Sequence, residues 1–196
     1  KSSKEFETLK TLALEKIRLY WTDKAIPDDL TLQGFRNLHS KIGRSNRKYI
    51  SSPEALIWLL NERGRFPQIN TLVDIYNLVS IKNKLALGAH DIDKVEGNIT
   101  LKITDGSEKF TPLGGKPENI FPGEYAYVDN GNNVVCRMEV IQCEKTKITL
   151  ETTNTFFIIQ GNKNTDNDYV GKATKELIEL VGQFCGGKAT YLNKLD

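Results

Sequence analysis

Residues 85–97 read LALGAHDIDKVEG and set His90, one of the chain's two histidines, ahead of a D-x-D made by Asp91 and Asp93. Imidazole is the side chain whose ordinary pKa lets it give or take a proton near neutrality. His90 could therefore serve as a donor at a pocket mouth, while Asp91 and Asp93 equally suit the turn into a following strand. Asn70, Asp74 and Asn77 recur at i, i+4 and i+7, which puts them on one face near a helix start. The free N–H groups there favour an anion, and the side chains could hold a ligand's ammonium or hydroxyl. Capping by Asn70 or Thr71, with Asp74 as a first-turn acid, accounts for the same pattern. Arg137, Glu139 and Gln142, in VVCRMEVIQCEKTKIT, follow an otherwise apolar strand. Polar groups in that position suit a binding pocket and also occur at ordinary strand ends. Lys41, Arg44, Arg47 and Lys48 concentrate in KIGRSNRKY with Tyr49 at its edge. Such a run can track a phosphate backbone beside a ring that stacks on a base, or can be a solvated inter-helix loop.

Other chemistries find little support. Two histidines and the cysteines Cys136, Cys143 and Cys185, with no C-x-x-C, do not make a structural zinc set. The expectation is no metal and no cofactor. GKAT occurs at Gly171 and Gly187 without the glycine spacing of a phosphate loop, and helix capping accounts for both copies. Nothing points to a serine–histidine nucleophile. A net charge of +2 means that any nucleic-acid role must come from a local patch. No run approaches the ~18 to 20 apolar residues of a membrane span, and KSSKEFETLK lacks the apolar middle of a signal peptide. An odd cysteine count fits reduced thiols. The expectation is a soluble, cytoplasmic, bacterial protein, numbered from inside its gene product or after a removed tag because it starts at Lys1.

The elements that must position these residues change character along the chain. Phe6, Leu9, Ala13, Ile17 and Tyr20 recur at helical spacing and predict a helix ending near Trp21. A second helix is expected over 32–42, stopped at Gly43. A third starts at SSPEALIWLL, where Ser51 and Glu54 have capping-box spacing, and a fourth covers 71–82 with Leu72, Ile75, Tyr76 and Val79 as its stripe. From Leu85 the period falls towards two. NITLKIT predicts Ile99, Leu101 and Ile103 pointing inward, with the D-G of TDGSEKF turning into the next strand. EYAYVDNGNNVVCRMEV predicts a second hairpin, and KITLETTNTFFIIQG two more short strands. Val170, Ala173, Leu177, Leu180 or Val181, and Phe184 give a closing helix, stopped at Gly186 and Gly187. Helices, a run of antiparallel hairpins and a last helix make the fold class α+β.

In order, INTLVDIYNLVS, LALGAHDIDKVEGNI, FTPLGGK, PGEYAYVDN, VVCR and TKIT resemble a stand-alone B3/B4 domain, the module that forms the editing domain of the bacterial phenylalanyl-tRNA synthetase beta subunit. FRNLHSKIGRSNRKYISSPEAL is similar to free-standing members. The match covers Phe35 to Gly187 and divides the chain into a helical extension, 1–34, and a B3/B4-like unit, 35–190. It implies an unusual β-sandwich or antiparallel sheet with flanking helices. It also implies hydrolysis of the ester of tRNA charged with the wrong amino acid, tyrosine in place of phenylalanine. The alternative is a non-catalytic module binding tRNA or an amino acid or small metabolite, which kept the pocket and lost hydrolysis. Asn70, Asp74 and Asn77 match the family's I-N-x-x-V-D-x-x-N, and Gly88 to Asp93 match a motif that reads roughly L-H-A-F-D-L-D. The family's functional histidine falls at Gly88, and His90 takes a phenylalanine position on the same face. Gln160 stands nearest to a glutamate that the family uses. The implied ligand pocket is then Asn70, Asp74, Asn77, Gly88, His90, Asp91, Arg137, Glu139, Gln142 and Gln160, with His90 as the candidate catalytic group. Lys41, Arg44, Arg47 and Lys48 would meet tRNA.

Overall fold

A computed structural model describes residues 2–22 and 24–192. Five α-helices, α1 (Lys4–Trp21), α2 (Leu30–Lys41), α3 (Ser52–Arg63), α4 (Thr71–Asn83) and α5 (Asn167–Phe184), flank eight short strands. The strands are β1 (Ala86–Asp91), β2 (Thr100–Ile103), β3 (Lys109–Phe110), β4 (Glu118–Asn119), β5 (Tyr125–Val128), β6 (Val134–Arg137), β7 (Ile141–Gln142) and β8 (Thr155–Gln160). They form three antiparallel sheets, ordered β1-β8, β2-β5-β6-β7 and β3-β4. The fold is α+β. Among the described residues no helix is long and apolar enough to cross a membrane.

Period-two alternation decides which face of β1 the helices cover. Leu87 and Ala89 of β1, with Phe157 and Ile159 of β8, point to a core built with Ile75, Leu78 and Val79 of α4 and Ala173 and Leu177 of α5. Phe6, Trp21 and Leu32, all from the stretch before residue 35, lie in that same core, and Phe6 meets the Phe184 ring at 5.1 Å between centroids. A smaller core of Phe110, Ile120, Ala126, Val128, Val134 and Cys143 sits on the far side of the four-stranded sheet.

Several local expectations change. Ser51 precedes α3 without a side-chain capping bond, and the Glu54 carboxylate, expected to reach back to it, is held instead by Arg36 of α2 in a two-point ion pair. The D-G turn leads from β2 to β3 but does not pair them as a hairpin. β2 instead pairs with β5, and β3 with β4. β2 is therefore an edge strand, and Leu101 and Ile103 are 55% and 63% exposed rather than inward. Residues 147–154 are irregular apart from a turn at 150–151, so KITLETTNTFFIIQG yields β8 alone. The β5–β6 hairpin forms, with Asn132 in the left-handed position at φ 59°. Asp166 caps α5, which leaves the first GKAT glycine, Gly171, inside that helix.

A buried lysine ties α1 to α4. The Lys10 ammonium lies 2.8 Å from Asp74 Oδ2 and also meets Glu7. Burial pulls the Lys10 pKa down, but its hydrogen bonds to Asp74 and Glu7 outweigh that and hold it above the ordinary value. Removing one partner of such a pair strands the other charge away from water. Asp74→Ala is expected to lower the unfolding free energy in urea by about 3 kcal/mol, whereas Lys10→Met combined with Asp74→Leu should cost clearly less.

Candidate functional site

The face of β1 turned away from the helices carries Ala86, Gly88 and His90, and the β8 register sets Gln160, Ile158 and Phe156 beside them. Tyr125 and Tyr127 of β5 face this surface, and the pairing Tyr127–Cys136–Gln142 extends the row across β6 and β7. Two contacts close the space between the sheets. The Tyr127 hydroxyl donates to Gln160 Oε1 at 3.0 Å. The Gln142 amide fills the slot left by Gly88, where a Cβ would fall 2.4 Å from Gln142 Nε2 and 3.6 Å from His90 Nε2. Glycine at 88 is thus what admits the amide.

His90 is fully buried. Its Nδ1 lies 2.8 Å from Thr146 Oγ1, which lies 3.1 Å from Cys143 Sγ, while Nε2 is buried with no partner among the described residues. Burial pulls its pKa down to about 4, so the ring is neutral at pH 7. The hydrogen-bond chain can run in either sense. If Cys143 donates to Thr146 and Thr146 to His90, Nε2 carries the proton; in reverse, Nε2 offers a lone pair.

Glu139 closes one end of the row. Its Oε1 lies 2.5 Å from Nε2 of the buried His39, and its Oε2 accepts from the Tyr125 hydroxyl. Burial lowers the His39 pKa, but the Glu139 carboxylate more than reverses this and holds it above the usual imidazole range. Burial and Glu139 together push the Tyr125 phenol up. Burial pushes Tyr127 up and brings Tyr76 of α4 to about 12, against a hydrogen bond from Gln142. The space therefore holds neutral phenols, two amides and a neutral imidazole, which can hydrogen-bond a polar ligand without carrying net charge. Tyr127, Phe156 and Ile158 also line a groove of about 1880 Å³ along β8 and α5, so Tyr127 links the polar row to open surface.

Of the residues singled out by sequence, Gly88, His90, Glu139, Gln142 and Gln160 come together here. Asn70 caps α4, accepting from the Val73 N–H at 2.9 Å, and Asp74 holds Lys10 and the Ile69 N–H. Asn77 is half-buried on α4. Asp91 organises the turn, accepting from the Asp93 N–H and the Thr152 hydroxyl. Arg137 points to the opposite face of its sheet, where the fully buried Glu124 takes its guanidinium at 2.7 and 2.9 Å. Arg44 meets the same carboxylate at 2.6 Å, whereas Lys41, Arg47 and Lys48 are exposed. Tyr49 is buried against Arg137 and offers no ring to a base. His39, Tyr76, Tyr125, Tyr127 and Thr146 were not singled out from sequence. The Y-A-Y of β5, two phenols on one strand face, was the signal available for two of them.

Residues 35–186 match the B3/4 domain family. The phenylalanine–tRNA ligase beta subunit of Wolbachia sp. subsp. Brugia malayi is 32% identical over 169 residues, covering 74% of this chain and 21% of that protein. The corresponding subunit of Fusobacterium nucleatum is 34% identical over 111 residues, covering 57% and 14%. This chain thus spans about a fifth or less of the length of these curated relatives. An N-terminal fragment of the phenylalanyl-tRNA synthetase beta subunit from Pyrococcus horikoshii superposes with a TM-score of 0.50 at 21% identity, over 60% of this chain and 41% of that one, and so shares the fold.

The two histidines should leave opposite marks on stability. The folded pKa of His90, about 4, lies below its ordinary 6.5, so the unfolded chain takes the proton first on acidification. Its contribution is whole above about pH 6.5 and is lost towards pH 4, on the order of 3 kcal/mol in all. His39, with its pKa raised, contributes stability that is whole below the ordinary imidazole value and is lost as pH rises through its folded pKa. Urea midpoints measured against pH should show His90→Gln flattening the acid limb and His39→Gln flattening the limb above neutrality.

Proposed function

We propose that this chain, which belongs to the B3/4 domain family, deacylates aminoacyl-tRNA in trans, hydrolysing the ester of a misattached amino acid held between its two sheets. The observation that carries this is the unpartnered Nε2 of a neutral, buried His90 beside the Gln142 amide. The names of the relatives, phenylalanine–tRNA ligase beta subunits, support tRNA as the substrate class.

In this reaction a water oxygen attacks the ester carbonyl carbon and the carbon–oxygen bond to ribose breaks. The ribose oxygen leaves with one of the water's protons, the other passes to solvent, and the amino acid departs as its carboxylate. A neutral imidazole can orient the water or hold the developing oxyanion, and fixed amide and phenol dipoles supply the rest by position. Telling tyrosine from phenylalanine needs a hydrogen-bonding group for one hydroxyl, and Gln142 and Gln160 are such groups. Because His90 is fully buried, Gln142 must turn aside to admit the substrate.

That seal also favours a second reading, a binding module without hydrolysis, since Gly88 brings no titratable group to the place where the resemblance puts a histidine. A ligand would then raise the apparent melting temperature with no turnover.

A panel of mischarged tRNAs, led by tyrosine on the phenylalanine tRNA, decides between them. Hydrolysis should be flat across neutral pH, because His90 stays neutral there, and should slow at least about a hundredfold in His90→Ala. Stabilisation by tRNA with every ester intact would establish the binding module; no effect of any kind would remove both readings.

A further inference from the structure

From Leu30 to Pro53 the chain contains no acidic residue, while Arg36, Lys41, Arg44, Arg47 and Lys48 all fall within it. The last four lie at or just beyond the end of α2. They carry more positive charge than the +2 of the whole chain. Arg44 has a specific geometry. Only its Nε reaches Glu124, which is fully buried and whose oxygens are also held by Arg137. The two Nη groups of Arg44 have no partner among the described residues. The Arg44 Cζ stands 5.0 Å from the centroid of Phe121, with the Arg137 Cζ at 5.6 Å, and the Phe121 ring is 48% exposed.

A guanidinium fixed through Nε by a buried carboxylate presents its remaining N–H groups as a rigid fork, the geometry that suits a phosphate. A half-exposed aromatic beside such a fork is what a single-stranded nucleic acid uses, because an unpaired base offers a flat face and its phosphate follows within reach. A duplex keeps its bases stacked inside and cannot use the ring. Tyr49, the aromatic nearest in sequence, is buried against Arg137, so the available platform is Phe121.

We infer that Phe121 and Arg44, with Lys41, Arg47 and Lys48 around them, form a docking surface for a single-stranded RNA segment, one base stacked on Phe121 and its phosphate on the Arg44 fork. The partner class rests on the proposed action on tRNA. Binding is read without turnover, so failure of this surface and failure of hydrolysis are separate results.

Fluorescence anisotropy of the full chain with a short unstructured RNA strand, and with the same strand in a duplex, tests it. The single strand should bind more tightly. Phe121→Ala should weaken it roughly tenfold with the salt dependence unchanged. Arg47→Glu with Lys48→Glu, at exposed positions that leave the buried ion pairs intact, should weaken it and flatten the dependence on salt by about 0.7 per lost phosphate contact. Circular dichroism melts of each variant confirm folding. Equal affinity for the duplex, or single-strand binding unmoved by both the Phe121 and the Arg47/Lys48 variants, would overturn the inference.

Discussion

A carboxylate removed from water must be met on each oxygen by a cation or a proton donor, or the fold that buries it does not survive. Glu139 and Glu124 impose that constraint here. Glu139 draws His39 from α2 and Tyr125 from β5, and Glu124 draws Arg137 from β6 and Arg44 from the loop after α2. Each ties the helical layer to the four-stranded sheet across a long stretch of sequence. Lys10 and Asp74 add a third buried pair, joining α1 to α4. The first two pairs hold the four-stranded sheet to the helical layer, and the Tyr127–Gln160 bond then spans the space between that sheet and β8.

The polar row is a consequence of that placement. The helices cover one face of β1 and β8 with aliphatic side chains. The other face needs a cover that is not a helix, and the tyrosine face of β5 supplies it. Gly88 then acts by what it lacks: the missing Cβ lets the Gln142 amide reach the edge of His90. Burial without an opposing charge keeps His90 neutral, whereas the same burial beside Glu139 leaves His39 with a raised pKa. One residue type, in two settings, thus has its proton affinity shifted in opposite directions; each ring keeps one buried nitrogen without a partner among the described residues, and that of His90 lies next to Gly88.

Local rules made much of this fold legible. Helical periodicity, the Asn70 cap and the β5–β6 turn are short-range signals, and each has a counterpart in the structure. Strand partnership is long-range, which is why the D-G turn suggested β2–β3 while the chain pairs β2 with β5. Lys10 reads as a solvated helix residue until Asp74 is known to lie opposite it. The same blindness affects the site. His90, Gly88, Gln142, Glu139 and Gln160 could be named from their surroundings or from a resemblance. Arg137, two residues before Glu139, faces the other way because β6 ends at Arg137 and the chain turns at Met138, whose φ of 52° breaks the strand's alternation. Thr146 and His39 have no sequence pattern of their own and become visible only through the imidazole and carboxylate they touch.

The proposed reaction requires the free nitrogen of His90 to face a working ligand site. Long-range proton–nitrogen NMR of histidine-labelled protein tests it most directly, because the chain's two histidines report separately. On titration with an aminoacyl-adenosine whose ester is replaced by an amide, the His90 Nε2 resonance should move with saturation while that of His39 stays fixed. A His90 signal unmoved by a saturating analogue, or a shift confined to His39, would contradict the account.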